Sequence, residues 1–172
     1  MRIGLLLEEL IRKLDTDKGL VIVETGTIRN AADQYANGDG HSTYHIALLM
    51  KDRRADKHRF YSIDHETAVG NAFLIEKGLR EFVTLVRGDS LQELARFSAI
   101  DFAYLDSAND AAHILAEFKI VEKKMAPGNA VVVIDDVYMD SKDVVKGHLV
   151  IPYAREKGYD VLIRDGQAVI KW

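Results

Sequence analysis

The sequence predicts a doubly wound α/β sheet, mostly parallel, with an antiparallel hairpin at its C-terminal end and helices on both faces. Three observations predict it. Short, nearly continuous apolar runs alternate with longer segments of helical length, as expected for strands buried on both faces and joined by right-handed βαβ crossovers. Four of the first five runs end in an acidic residue. Near the end of the chain, Asp165-Gly166 separates two apolar runs, a strong hairpin signal.

The elements follow in order. Residues 1–14 intersperse Arg2, Glu8, Glu9, Arg12 and Lys13 with leucines; an amphipathic helix explains this better than a signal peptide, whose apolar centre is uninterrupted. Strands are expected at 20–24, 60–64, 82–87, 100–106 and 130–135, and helices at 42–51, 66–78, 90–97 and 111–125. A further helix over about 142–157 leads into strands 159–164 and 167–172. The last strand either completes the sheet or contributes to a homodimer. Residues 28–40 are polar and turn-rich where a tight strand-to-helix loop is expected. With 172 residues, the chain suits one domain with a real core. We therefore expect 1–172 to be a single domain, with an N-terminal helix within 1–18 and an insertion at 28–40.

Composition narrows the function. There are no cysteines, which excludes disulfides, thiolate metal sites and a cysteine nucleophile and is compatible with a cytoplasmic location. No apolar run approaches the roughly 20 residues needed to span a bilayer, so no membrane association is expected. A net charge of −4 gives no reason to expect a large footprint for nucleic acid. The densest basic stretch, 51–59, also holds Asp52 and Asp56 and reads as a solvated linker.

In an open α/β sheet, ligands bind beyond the carboxyl ends of the strands, near the switch in strand order. The acids that end strands here are Glu24, Asp64, Asp106 and Asp135, and the third strand runs into Arg87-Gly88-Asp89. That edge is the predicted site. Glu24-Thr25-Gly26-Thr27 follows the first strand, and glycine there admits close approach of backbone to ligand. It does not supply G-x-G-x-x-G, so the dinucleotide fingerprint is not met. Ser42 opens the next helix as an N-cap, as a ligand for a carboxylate at the helix N-terminus, or as both. Asp64 sits where nucleotide-like sites place an acid on ribose hydroxyls. Asp89 and Ser90 either cap the helix at 90–97 or present polar groups to a base. His41 and His65 fall at the same edge, and Tyr138 and Met139 lie just beyond the acid pair.

Asp106, Asp135 and Asp136 are the most informative group, because the fourth and fifth strands are neighbours in the usual order. Converging carboxylates raise one another's pKa unless a cation compensates. Oxygen-only ligands suit a hard divalent ion such as Mg²⁺. The alternative is that Asp136 caps the following helix and Asp135 orients a loop.

From about residue 20 to the end, the chain resembles the class I S-adenosylmethionine-dependent methyltransferases, with their Rossmann-like sheet. It is similar in particular to the metal-dependent O-methyltransferases of the catechol, caffeoyl-CoA and antibiotic-sugar type. The resemblance implies a cofactor site of Glu24, Gly26, Ser42, Asp64, Asp89, Ser90 and Asp106. It also implies Mg²⁺ or another divalent cation on Asp106, Asp135 and Asp136. Two departures stand out. Residues 28–37 interrupt the first motif, and the family's base positions hold Asn109 and Ala108. Asp106 and Asn109 are therefore the candidate catalytic residues, with Asp110 or His113 as possible helpers.

The resemblance implies methylation of a small hydroxylated substrate, with the cation binding and acidifying its hydroxyl. Three alternatives stay open at this point. They are metal-independent N- or O-methylation, a non-methylating enzyme on the same fold, and a ligand-binding module.

Overall fold

A computed structural model describes residues 4–14, 18–31, 41–53, 57–137 and 145–172. Its seven strands form one sheet in the order β3-β2-β1-β4-β5-β7-β6. The parallel strands are β1 (Val21–Thr25), β2 (Arg59–Asp64), β3 (Thr84–Arg87), β4 (Phe102–Leu105) and β5 (Val131–Ile134). β6 (Asp160–Arg164) and β7 (Gln167–Lys171) are antiparallel to each other, and β7 is antiparallel to β5. The strand order reverses between β1 and β4, so that point marks the ligand crevice.

Alternation along the strands sorts their side chains into two cores. Ile22, Phe102, Tyr104, Val131, Val133 and Val169 join Leu6, Leu10, Ile46, Met50 and Phe73 on one face. That face is covered by α1 (Gly4–Leu14), α2 (Ser42–Asp52) and α3 (Ala68–Glu76). Val23, Ala103, Leu105, Val132, Ile134 and Ile170 join Leu94, Ile114, Phe118, Val121 and Val150 on the other. Here the cover is α4 (Ser90–Arg96), α5 (Ala111–Glu122) and α6 (Gly147–Glu156). Burial on both sides is why the central strands read as unbroken apolar runs.

The predicted hairpin is present. Arg164 pairs with Gln167 across a two-residue turn, and Asp165 and Gly166 both take positive φ, 55° and 81°, as a primed hairpin turn requires. β7 lies inside the sheet, between β5 and β6, so the apolar C-terminal run completes its own sheet. The strand predicted at 82–87 begins later, because Arg80–Phe82 forms a 3₁₀ turn held by the Arg80 side chain on Asn71 and the Val83 carbonyl. Most of the 28–40 insertion, Tyr138, Met139 and the proposed helix start at 142 lie outside the described residues. No described helix is long and apolar enough to cross a membrane.

Candidate active site

At the switch point, the chain turns sharply after β1. Gly26 has φ 91°, and its N–H donates to the Ile63 carbonyl at 2.8 Å. A Cβ there would lie 2.6 Å from the Asp106 carbonyl oxygen, so only glycine lets β1 and β4 end this close together. The Asp106 N–H in turn donates to the Thr25 carbonyl at 2.9 Å.

Two buried glutamates brace this turn from below. Glu24 is fully buried and accepts from Ser42 Oγ at 2.5 Å, Thr43 Oγ1 at 2.6 Å and Ser62 Oγ at 2.6 Å. Burial pushes its carboxyl up to about 7, although the three hydroxyls pull the other way. On the opposite side, Glu117 of α5 is also fully buried and binds Thr25, Ser107 and His113. The hydrogen bond to Glu117 raises the His113 pKa, and the same ring nitrogen meets Ser90 Oγ at 3.0 Å.

Above the turn lies a cleft of about 530 Å³, whose walls include Gly26, His41, Ser42, Asp106, Asn109, Asp136 and Lys146. Beside it is a recess of about 90 Å³ formed by Asp64, His65, Gly88, Ser90 and His113. The two share Gly26, Arg29, Ser107 and Ala108. Arg29 reaches across their junction, donating to Asp64 Oδ2 at 3.3 Å and to the Ser107 carbonyl at 3.2 Å.

Most of the predicted site residues converge here, though not all in the expected posture. Ser42 is the first helical residue, and His41 occupies the N-cap position, so of the two roles considered for Ser42 the N-cap is not the arrangement found. The Ser42 hydroxyl turns to Glu24, which explains why it does not cap. Glu24 lies beneath the cleft and is not one of its walls. Asp64 accepts from the Thr27 N–H at 3.0 Å as well as from Arg29. Asp89 caps α4 through the Gln92 N–H at 3.0 Å, while its neighbours Gly88 and Ser90 line the recess. Asp110 caps α5 through the His113 N–H at 2.6 Å, which commits it to the helix. His41 and His65 are walls of the cleft and the recess respectively.

Asp106, Asp135 and Asp136 do come together. One oxygen from each lies within 4.8 Å of the others. Asp135 is oriented by Tyr104 Oη at 2.5 Å and by Gln167 Nε2 at 3.1 Å. Asp136 follows with φ 49°, a left-handed conformation uncommon outside glycine. It sits beside Asp106 ahead of α6, which starts only at Gly147, so the alternative in which Asp136 caps that helix is not the arrangement found. Sequence reasoning places Lys146 only at the end of a pocket-wall region, 138–146, and gives it no role of its own. It is 2 % exposed, its ammonium donates to Asp106 Oδ1, and it lies 3.9 Å from Asp136 Oδ2. Burial pushes Asp106 up to about 6; Lys146 opposes that rise and Asp135 adds to it.

Comparison with known proteins settles the family. A methyltransferase-domain profile matches residues 37–137, well over half the chain. The chain belongs to the methyltransferase-domain family. With its class I sheet, it is an S-adenosylmethionine-dependent methyltransferase. Among solved structures, it is similar to cofactor-bound Rv0187 from MTB, at 19% identity and TM-score 0.68, over 99% of this chain and 78% of that one. It is also similar to the MycE methyltransferase of the mycinamycin biosynthetic pathway in complex with Mg, SAH and mycinamycin VI. There the identity is 13% and the TM-score 0.65, over 98% of this chain but only 49% of MycE. SAH-bound PaMTH1 from Podospora anserina follows at 15% identity and TM-score 0.63, covering 96% of this chain and 76% of that one. At these identities the likeness shows the shared fold. No curated protein sequence matches the chain.

Proposed function

We propose that this methyltransferase acts on an oxygen of a small hydroxylated substrate, with a divalent metal on Asp106, Asp135 and Asp136. The observation that carries this reading is the convergence of three carboxylates in and beside the cleft, next to the glycine turn. Hard oxygen donors at this spacing suit Mg²⁺, with substrate or water oxygens completing its shell. The MycE structure, which holds Mg and SAH on the same fold, supports it by analogy.

In this reading, Asp64 meets the cofactor ribose, Gly88 and Ser90 the adenine, and the Gly26 turn the methionine end. Arg29 must then leave Asp64, because a recess of about 90 Å³ is too small for an adenosine. Bound S-adenosylmethionine supplies an electrophilic methyl group, and a bound metal supplies a Lewis acid that lowers a hydroxyl pKa. The protein's own share is positioning. Asp106 and Asp136 fix one side of the cleft, Tyr104 and Gln167 hold Asp135 in place, and Asn109 offers an amide to orient the acceptor. Direct displacement needs alignment more than covalent help, so such positioning carries most of the rate. In this reading the acceptor is a small molecule, and a net charge of −4 gives no reason to expect a large nucleic-acid footprint.

A second reading has an observation of its own. Lys146 already places a cation against Asp106, which favours methylation without a metal. Transfer to a catechol or vicinal diol, measured with and without EDTA, separates the two. Loss of activity in EDTA and in Asp136→Ala supports the metal; full activity in both removes it and leaves the second reading.

A further inference from the structure

The Lys146 ammonium contacts the same carboxylates that a metal would use. Its Nζ donates to Asp106 and lies 3.9 Å from Asp136, and these are two of the three acids whose oxygens converge. The root of the side chain is clamped. A Cβ on the next residue, Gly147, would meet the Val137 carbonyl and the Ile151 side chain at 2.8 Å each, so the backbone after Lys146 is pressed against the segment that follows Asp136. The side chain is long and unbranched, and it borders the open cleft. It can swing while its backbone stays fixed.

A divalent ion and an ammonium on one carboxylate repel at such short range, the more so because Lys146 itself is buried. From this geometry we infer that Lys146 is a tethered cation holding the metal's place. Its ammonium and a divalent ion are alternative partners of Asp106 and Asp136, and Lys146 leaves Asp106 for the cleft when the carboxylates take the ion. The arrangement keeps the acids compensated before a metal arrives and weakens metal affinity in the native chain. The inference rests on the metal-assisted reading above.

Calorimetric titration of the whole chain with MgCl₂ and MnCl₂, in the presence of S-adenosylhomocysteine, tests it. Lys146→Met is expected to bind the ion on the order of tenfold tighter than the native chain, whereas Lys146→Arg, which keeps the charge, stays close to native. A second measurement needs no variant. The rate at which trinitrobenzenesulfonate modifies Lys146, read by peptide mass mapping, rises severalfold when Mg²⁺ is added to the native chain. If Lys146→Met does not fold, this measurement decides. Equal affinities with unchanged labelling overturn the inference and leave the metal reading standing. Binding by Lys146→Met alone upholds the inference and removes the metal reading for the native chain. Binding by neither overturns both.

Discussion

Glu24 and Asp106 lie at the carboxyl ends of neighbouring strands, β1 and β4, on either side of the Gly26 turn. Both are drawn upward by burial, Glu24 to about 7 and Asp106 to about 6. Their surroundings differ. Glu24 has three hydroxyl donors and, among the described residues, no cation beside it. Asp106 has two carboxylate neighbours and one ammonium. Each rises by a similar amount from its ordinary value, 4.5 for Glu24 and 3.8 for Asp106, because the ammonium offsets burial and like charges at Asp106 much as three hydroxyl dipoles offset burial at Glu24. The comparison also separates two jobs. Glu24 shapes the floor of the site and is not one of the cleft walls, whereas Asp106 faces the cleft and carries the contact with Lys146.

The largest effect is expected from the cleft side. Under the metal-assisted reading, Asp106→Asn removes a ligand and the Lys146 partner together, and methyl transfer falls by roughly 100-fold or more. S-adenosylhomocysteine affinity, read by calorimetry, changes much less, because the proposed cofactor pose rests on Asp64 and the Ser90 recess, which are untouched. A variant that transfers at the native rate would show that Asp106 belongs to the floor as Glu24 does.

Glu24 answers to a different measurement, stability against pH. Its folded pKa of about 7 is raised above the unfolded value, so its favourable contribution is fully present below about 4.5 and is lost as the pH rises through about 7. Glu24→Gln removes that titration. The variant gains on the native chain across this window, reaching on the order of 3 kcal/mol at pH 8 in urea melts. A difference that stays flat between pH 5 and pH 8 would mean that the hydroxyls already hold Glu24 fully ionised.

The same pair shows what a sequence reveals and what it conceals. Glu24, Asp64, Asp106 and Asp135 were legible because topology puts every parallel strand's carboxyl end on one edge, and a residue ending a run inherits that position. The hairpin was legible because Asp165-Gly166 carries its own dihedral demand. Ser42 was half legible: a serine before an apolar run resembles a cap, but only the tertiary contact with Glu24 shows where its hydroxyl goes. Glu117 was hidden because it lies on the buried face of α5, beside Ile114, Phe118 and Val121, where apolar periodicity hides a lone acid. The role of Lys146 was hidden because the sequence pattern places it inside a helix over about 142–157, whereas the helix starts at Gly147.

Gly26 joins the two halves of the comparison. Gly26→Ala forces a left-handed φ on alanine and drives its Cβ into the Asp106 backbone. The cost is on the order of 2 kcal/mol, a fall of about 5 °C in Tm for a chain of this size. Cofactor affinity falls with it, since the turn and the Asp106 backbone cannot both keep their places. An unchanged Tm would mean that the β1 and β4 ends can separate without penalty, and that the shape of the site floor does not depend on their contact.

The smallest effect is expected at Arg29, which spans from the β2 end at Asp64 to the carbonyl after Asp106. Its side chain is 64% exposed against 8% for Asp64, so the pair contributes only about 0.2–1 kcal/mol. In the proposed cofactor pose the ribose displaces it from Asp64, so Arg29→Ala is expected to tighten S-adenosylhomocysteine binding by at most about fivefold while leaving Tm nearly unchanged. Weaker binding in this variant would reverse the assignment. Arg29 would then be a ligand for the cofactor, swinging from Asp64 onto the bound molecule, and the junction between cleft and recess would belong to the binding site itself.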